Sequence, residues 1–367
     1  MTQIDLAATA QPTAFALLKE SQAIPHELMQ YRGVLTPRRL DAAGVESAAF
    51  VTGAGGHDLG WLKRVAVRGD DRFRWLSGMV TNMVNDLGTN AGAWNLVLNA
   101  QGRIQGDLNV WREGDQLELE IASDQMERLL AHFEHFIIMD DVELVPLGGL
   151  AAVGLTGPAV DAVLERLGLP ILNEPMTSTR VEWNGIDLRL ERLFGNVAQH
   201  YALWVTESQL SKLWKFVRTA GAIQVGAETL EAFRVAEGIP LYGVDMAERD
   251  LPQETSQMLA LHFNKGCYLG QEIVERIRSR GNVHRHLRHL ELDGPVPSAE
   301  TNLMGDGETA AGQIRSVAAL QLPSGTRVFA LAMMRGEMEA RTKPFTYTAG
   351  AVQGTARLLA AAPSFSA

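Results

Sequence analysis

Cys267, the only cysteine among 367 residues, is the side chain best suited to chemistry in this sequence. It follows Lys265 by two residues and comes directly before residues 269–280, where apolar side chains recur at helical spacing. A helix N-terminus and a neighbouring ammonium each favour the thiolate over the thiol. The pattern predicts a thiol that attacks an electrophile, ligates a transferred metal cluster or senses oxidation. The structural alternative is a small residue packed where the chain enters the helix.

Five arginines lie within residues 276–288 of a chain that is acidic elsewhere. Guanidinium groups bind carboxylates and phosphates through paired hydrogen bonds. Arg276 and Arg278 are therefore candidate contacts for an anionic ligand, while a solvated helix face is the ordinary explanation for such a run. Glu272 near the start of the predicted helix and arginines near its end both suit the helix dipole.

The histidines indicate a metal site only weakly. His284, His286 and His289 have no paired carboxylate at a useful local spacing, and His132 and His135 are better explained as surface residues of a predicted helix. With one cysteine, the chain cannot form an intramolecular disulfide, a four-cysteine zinc site or an iron–sulfur cluster held only by its own thiols. We predict no resident metal.

The predicted elements fall into four segments along the chain. Residues 1–60 contribute to an α/β core. Residues 61–147 show the order helix, strand, strand, strand, helix, strand, which resembles one ferredoxin-like unit, and residues 148–283 repeat this alternation. Short strands separated by turn residues then predict a small antiparallel barrel over 284–360. The predicted fold class is therefore α+β.

Three local patterns carry more specific predictions. Residues 14–29 have a weak helical periodicity. The glycine-rich run 51–60 precedes a strand-like segment, so a hairpin turn is favoured over a phosphate-binding loop, which needs a following helix. Residues 181–190 are rich in apolar side chains and predict a single strand.

Composition and charge limit the class of protein. Hydrophobic residues make up 46% and charged residues 21%, which favours a folded chain with a substantial core. The formal charge of −10 argues against broad nucleic-acid binding, because that needs a basic face. No window approaches 18 consecutive apolar residues, and the first residues do not resemble a signal peptide. With a single unpaired cysteine as well, we expect a cytoplasmic protein that does not span a membrane.

The segment 265–272, KGCYLGQE, closely resembles the K-G-C-Y-x-G-Q-E signature of the YgfZ family. Residues 236–245 contain the E-G-I-P and Y-G-x-D parts of a second family motif, and 251–254 are its L-P-Q-E. Upstream, 76–82 and 98–104 are similar to the family's N-terminal pattern. This family is a folate-binding branch of proteins, linked to tRNA modification and iron–sulfur maintenance, that is related to the aminomethyltransferase (T-protein) of glycine cleavage.

This resemblance, which spans roughly residues 60–335, implies a fold, a cofactor and a set of site residues. It implies tandem ferredoxin-like α/β units and a C-terminal antiparallel β-barrel around a central cavity that binds tetrahydrofolate. Cys267 and Lys265 become the candidate catalytic residues. The implied cofactor-binding residues are Asp107 for the pterin, Arg234 and Tyr242 in the cavity lining, Gln271 and Glu272 in the signature, and Arg276 and Arg278 for the anionic tail.

The chain departs from the T-protein pattern at two places. T-proteins carry an acidic pair where this chain has Gly106 and Asp107, and a glutamate in a segment comparable to residues 192–196, RLFGN, which lacks one. Both departures weaken the case for aminomethyl transfer and favour folate binding without that reaction.

Three functions follow from the sequence, in order of preference. The first is a tetrahydrofolate-binding protein that supports assembly or repair of iron–sulfur client proteins, including tRNA-modifying enzymes. The second is a folate-dependent aminomethyltransferase of the T-protein type. The third is a non-catalytic scaffold that docks a protein or RNA through its arginine-rich face, although the overall charge opposes RNA. Whether the chain is an enzyme stays open at this point.

Overall fold

The computed structural model describes residues 10–23, 26–281, 283–306, 309–340 and 343–365, with only the backbone at Arg280. Contacts between residues divide the chain into two compact units that alternate along the sequence. Unit 1 comprises the residues up to Arg72, Gly88–Gly92 and Asn109–Leu230, and unit 2 comprises Phe73–Leu87, Ala93–Leu108 and the residues from Glu231 onward.

Unit 1 combines a large sheet with helices. Its elements are α1 (Ala14–Ser21), β1 (Leu28–Tyr31), β2 (Val34–Pro37), α2 (Ala43–Val51), β3 (Gly55–Asp58), β4 (Leu62–Arg68), β7 (Gln116–Ala122), α4 (Ser123–Glu134), β8 (Glu143–Leu147), β9 (Leu150–Thr156), α5 (Val160–Leu167), β10 (Thr177–Trp183), β11 (Ile186–Leu193), β12 (His200–Thr206), α6 (Leu210–Thr219) and β13 (Ile223–Val225). Strands β5 (Ala91–Leu98) and β6 (Ile104–Glu113) have one end in each unit.

The strand order of the sheet is β13-β3-β9-β12-β11-β10-β5-β6-β7-β4-β8. Strand β13 pairs with β3 in parallel, whereas β9, β12, β11 and β10 form a run of antiparallel neighbours. Strand β10 meets β5 at the pair Thr177–Ala91, which joins the strands of the two sequence halves into one sheet. The expected mixed α/β architecture is confirmed, while domain boundaries at residues 60, 147 and 283 stay predictions.

Two of the local predictions fail because turn residues interrupt the pattern. Helix α1 starts where the Thr13 hydroxyl accepts a hydrogen bond from the Ala16 amide at 3.0 Å, but it ends at Ser21, and β1 follows. Residues 14–29 are therefore not one helix. Residues 181–190 are not one strand either, because Asn184 and Gly185 both have positive φ and close the hairpin between β10 and β11.

The glycine-rich run 51–60 was predicted as a hairpin turn, and this is wrong. It contains the buried strand β3, which pairs with β9 and β13 and not with the following strand β4. A Cβ atom on Gly55 would lie 2.4 Å from the Phe50 ring, and one on Gly56 would lie 3.0 Å from Trp214. The glycines therefore serve close packing against aromatic side chains.

Unit 1 also buries a cluster of ion pairs on its sheet. Arg64, 2% exposed, lies 2.8 Å from Glu120 and also contacts Glu191 and Glu118. Arg189 lies 2.8 Å from Glu191 and 2.7 Å from Glu118. We call Arg64, Arg189, Glu118, Glu120 and Glu191 the buried ion cluster. Each arginine contacts more than one carboxylate, but three glutamates stand against two arginines, and burial raises the pKa of Glu191 to about 7.

Unit 2 contains the C-terminal barrel and the helices next to it. Its elements are α3 (Arg72–Met79), which starts at the boundary, α7 (Ala227–Glu237), which crosses it, α8 (Gln271–Arg280), β14 (Arg285–Asp293), β15 (Asn302–Met304), β16 (Ala310–Leu322), β17 (Gly325–Arg335), β18 (Phe345–Ala349) and β19 (Val352–Leu358). The six strands β14 to β19 form a closed barrel in the order β14-β17-β16-β15-β18-β19, which confirms the predicted barrel. In the described part of the chain, no helix has the length and apolar character needed to cross a membrane.

Candidate functional site

The signature segment 265–272 packs directly on the hairpin between β5 and β6, both within unit 2. Gly102 of the hairpin and Gly270 of the signature both have positive φ. A Cβ atom on Gly270 would lie 2.6 Å from the Asn99 carbonyl oxygen, and one on Gly102 would lie 2.8 Å from the Ile273 Cβ. Two glycines are therefore needed for this contact, which brings two of the sequence motifs together.

Cys267 is a free and exposed thiol three residues before Gly270, the N-cap of α8. The helix begins at Gln271, two residues later than predicted, and carries Glu272 in its first turn. The backbone on either side of the thiol is anchored, because Tyr268 is buried in the core and Leu269 donates its amide hydrogen to the Gly78 carbonyl at 2.9 Å. Burial raises the pKa of the Tyr268 hydroxyl to about 12. The sulfur is therefore open to solvent on an anchored segment.

Lys265 points into the interior of unit 2. Its ammonium donates to the carbonyl oxygens of Ser77, Val80 and Asn82 at 2.7, 2.6 and 2.7 Å, and so satisfies carbonyl groups at and beyond the C-terminal end of α3. Burial lowers the pKa of this ammonium to about 7. These three hydrogen bonds hold the signature on α3, and the predicted role of Lys265 beside the thiol stays a prediction.

Gln271 and Glu272, the remaining candidate site residues of the signature, lie at the start of α8. The Gln271 side-chain oxygen accepts a hydrogen bond from the Tyr268 amide at 3.3 Å, so its amide group shapes the turn before the helix. Glu272 is exposed in the first helical turn, where a negative charge suits the helix dipole. Their predicted contacts with a cofactor stay predictions.

Asp107 lies on the half-buried face of β6, where alternate residues from Ile104 onward are buried. One of its carboxylate oxygens accepts a hydrogen bond from the Trp94 indole nitrogen of β5 at 3.2 Å. This places an acceptor group and a flat aromatic ring side by side on the hairpin that supports the signature. Sequence reasoning missed Trp94, although a tryptophan at the polar end of a predicted strand, near a motif carboxylate, was a usable signal.

Arg234 is buried and saturated by groups of its own unit. Its guanidinium donates to Asp245 at 2.7 Å and to Glu231 at 2.9 Å, and it also donates to the Ser316 hydroxyl of β16 at 3.2 Å. Burial raises the pKa of the Asp245 carboxyl, against the attraction of Arg234. These hydrogen bonds connect α7 to the loop after it and to the barrel, so Arg234 stabilises the fold of unit 2.

Tyr242 is also a packing residue in this structure. It is 7% exposed, lies in the apolar core of unit 2, and donates its hydroxyl hydrogen to the Ile104 carbonyl at 3.4 Å. Its predicted place in a ligand cavity stays a prediction, as does that of Arg234.

The arginines of α8 are exposed, and they differ in their neighbours. Within the described residues, no ion pair involves Arg276. Arg278 lies 4.4 Å from the centre of the Phe263 ring and 3.4 Å from the Glu275 carboxylate. Both contacts with the anionic tail stay predictions.

The histidines of β14 have protein partners. His286 contacts Glu339, and His289 is partly buried, so that burial lowers its pKa to about 4. Among the described residues, no group of three or more histidine, cysteine, aspartate or glutamate side chains could hold a metal ion.

Comparisons with known proteins show one family over most of the chain. The GCVT N-terminal domain family matches residues 10–265. The chain is 27% identical to an aminomethyltransferase of Rubrobacter xylanophilus over 288 residues, covering 76% of each protein. It is 26% identical to the tRNA-modifying protein YgfZ of Cronobacter sakazakii over 287 residues, covering 75% of this chain and 83% of the relative.

A solved structure shares the fold over nearly the whole chain. The glycine cleavage system aminomethyltransferase T from Bartonella henselae superposes with a TM-score of 0.83, covering 94% of this chain and 95% of the other. The sequence identity of 17% limits this likeness to the fold. The relatives therefore include both proteins named as transferases and proteins named for tRNA modification.

Proposed function

Because this chain belongs to the GCVT domain family, we propose that it is a tetrahydrofolate-binding protein that supports assembly or repair of iron–sulfur enzymes, including tRNA-modifying ones. Cys267 is the residue that reacts with, or ligates, the client's group. Asp107 and Trp94 are the contacts for the pterin, and Arg276 is the contact for the glutamate tail. The site of action is the cytoplasm.

One observation carries this proposal: an exposed free thiol lies on a segment that packs on the hairpin bearing Asp107 and Trp94. A chain that used this signature only for packing would have no need to leave the sulfur open while it buries Lys265 and Tyr268 on either side. The signature therefore contains one exposed reactive group held by buried neighbours, which is the arrangement that positions a functional side chain.

The residues on the hairpin fit a reduced folate. A pterin is a flat ring edged with hydrogen-bond donors and acceptors, and Asp107 offers a carboxylate beside the flat Trp94 indole. A folate tail carries carboxylates, and the exposed Arg276 is a suitable partner for them. When bound, the folate supplies one-carbon chemistry. The chain's own residues bind the ring and hold the thiol.

A calorimetric titration with 5-formyltetrahydrofolate, an air-stable reduced folate, tests the cofactor. We expect one equivalent to bind, and Asp107→Asn to weaken binding by about tenfold, or about 1.4 kcal/mol. Asp115→Asn is the matched control, since Asp115 lies in unit 1 with 89% of its side chain exposed. Absence of heat at saturating folate, with the protein folded, would overturn the proposal.

Complementation tests the role of the thiol. In cells that lack this protein, we expect the wild-type chain to restore the activity of an iron–sulfur tRNA-modifying enzyme. The variant Cys267→Ser should bind folate as the wild type does but fail to restore that activity. Full restoration by Cys267→Ser would remove the sulfur from the mechanism while leaving the folate site in place.

Aminomethyl transfer is a second candidate function, favoured by Asp107 on the hairpin and by the similarity to aminomethyltransferases. It predicts that an aminomethyl-loaded carrier and tetrahydrofolate yield methylenetetrahydrofolate, ammonia and the carrier with its thiol free, at a rate that Asp107→Asn lowers. An absent or unchanged rate contradicts it. Gly106, which stands where T-proteins carry an acid, makes this the less favoured function.

A further inference from the structure

Unit 2 contains a cleft of about 910 Å³ beyond the C-terminal half of α8. This volume is in the range that holds small ligands or a short peptide segment. Its walls come from α8, from the chain leading into β14 and from the end of β17. We call it the arginine cleft. The reactions and ligands proposed above leave it without a role.

The floor of the arginine cleft is apolar. Met258, Phe263 and Ile277 contribute to it, and Met258 is 52% exposed. An exposed apolar floor inside a concave surface is a feature of sites that bury an apolar group of a partner.

The rim of the arginine cleft carries more positive than negative charge. Arg278 and Arg335 line it with 48% and 55% of their side chains exposed, His284 is exposed beside them, and the carboxylate of Glu337, 68% exposed, also lines it. Arg335 lies 3.7 Å from Glu337, and Arg278 lies 3.4 Å from Glu275. Exposed ion pairs of this kind contribute about 0–1 kcal/mol, so a carboxylate of a ligand can displace the glutamates.

Further arginines lie next to the cleft. Arg285 lines it, fixed by Asp250 and Glu254 at 2.9 Å each. The charges of Arg285 and Arg249 act on Arg315, the extra residue of a bulge in β16. The Arg315 Nε is buried and, among the described residues, has no hydrogen-bond acceptor. Burial, followed by repulsion from Arg249, lowers the pKa of this guanidinium. The carboxylates of Asp250 and Asp245 act on the same guanidinium in the opposite direction, so charges of both signs continue beyond Arg285.

The side chains of the floor favour an acidic peptide over a nucleic acid as the ligand of the cleft. Single-stranded nucleic acids stack their bases on open aromatic faces. Of the phenylalanine, tyrosine and tryptophan rings among the described residues, only Phe263 lines the cleft, and Arg278 lies over it. Met258 and Ile277 are instead suited to an aliphatic or aromatic side chain flanked by carboxylates.

We propose that the arginine cleft binds an acidic peptide segment of a partner protein, with carboxylates at Arg278 and Arg335 and an apolar side chain against Met258, Phe263 and Ile277. Arg278 then serves partner docking in place of the folate tail. The proposal does not depend on the folate site, so each can fail without the other.

Selection from a random library of twelve-residue peptides displayed on phage tests the proposal. We expect the full-length protein to enrich peptides that combine Asp or Glu with a large apolar residue. Their affinities, measured by fluorescence anisotropy, should fall about tenfold or more for Arg278→Glu combined with Arg335→Glu, because two attractive contacts become repulsive. The single variant Arg335→Glu, at a residue with no proposed part in the folate site, should leave the binding of 5-formyltetrahydrofolate unchanged.

Arg218→Glu is the matched control, because Arg218 is exposed on α6 of unit 1 and should leave the affinities within about twofold. Met258→Ser should weaken the same peptides without changing the charge. If the double variant does not fold, Arg335→Gln alone should weaken binding about threefold. No enrichment, enrichment of peptides without acidic residues, equal binding by the rim variants, or tighter binding of a twelve-nucleotide single-stranded RNA would each overturn the proposal.

Discussion

The two units use their charged residues in opposite ways. In unit 1, Arg64 and Arg189 are at most 5% exposed and contact carboxylates of the same sheet. In unit 2, Lys265 is sealed in the same manner, while Cys267 and Arg276 on the same segment and helix are exposed. A charge that is paired and buried specifies structure, whereas an exposed group on an anchored segment is available to a ligand. We therefore infer that the exposed residues of the signature, above all Cys267, carry its function.

The largest effect is expected from breaking the buried ion cluster. Arg64→Met leaves Glu120 and Glu191 buried without their nearest counter-charge, and we expect the free energy of unfolding to fall by about 3–5 kcal/mol. Urea unfolding followed by tryptophan fluorescence measures it. The control Arg180→Met, at a side chain 46% exposed, should cost less than about 1 kcal/mol. Equal losses would show that burial does not distinguish these arginines.

A smaller effect is expected from Lys265→Met in unit 2. Three carbonyl groups lose their donor, and we expect a loss of about 2–4 kcal/mol in the free energy of unfolding. Lys215→Met, at an exposed position of α6, is the control and should cost little. The alkylation rate of Cys267 in the folded variant is the second measurement. An unchanged rate supports a structural lysine, and a rate that falls while stability is kept supports the predicted role beside the thiol.

At neutral pH the smallest effect is expected from His57 in the buried interior of unit 1, because its contribution appears only as the pH falls. Burial, aided by the nearby His200, lowers the pKa of His57 from 6.5 to about 3. The folded state therefore binds fewer protons than the unfolded state between these values, and the free energy of unfolding falls as the pH falls from 6.5 towards 3.

His57→Gln should reduce the difference in bound protons between the unfolded and folded states by up to one. The slope of the free energy of unfolding against pH then falls by at most about 1.4 kcal/mol per pH unit. Urea unfolding at a series of pH values measures the slope. The exposed His135→Gln is the control and should leave it unchanged. A slope that stays the same in His57→Gln would mean that the imidazole is not sealed.

Much of the fold could be predicted from the sequence because periodicity reports burial directly. The predicted antiparallel barrel forms from β14 to β19, although β16 and β17 run for 13 and 11 residues and are longer than the short strands expected. The failures come from long-range contacts. Residues 51–60 contain a buried strand in which Gly55 packs on Phe50 and Gly56 packs on Trp214. A prediction that treats glycine only as a turn residue does not include these contacts with aromatic rings.

The sequence could predict where the candidate site lies, but not which of its residues are exposed to a ligand and which hold the structure. The position of Cys267 before a helix follows from local spacing, and its exposure agrees with a reactive thiol. The contacts of Lys265 and Arg234 include groups distant in sequence: the Ser77 carbonyl is 188 residues from Lys265, and the Ser316 hydroxyl is 82 residues from Arg234. A lysine two residues from a cysteine does not reveal which way its side chain points. Trp94 was missed for the same reason, since its partner is across a hairpin.

The most direct test of the account asks whether the thiol and the folate belong to one functional site. The rate of alkylation of Cys267 by iodoacetamide is measured with and without saturating 5-formyltetrahydrofolate. We expect folate to slow the reaction about fivefold or more in the wild type, and Asp107→Asn to remove this protection at the same folate concentration. An unchanged rate in a protein that binds folate by calorimetry would contradict the account, because the sulfur and the cofactor would then act apart.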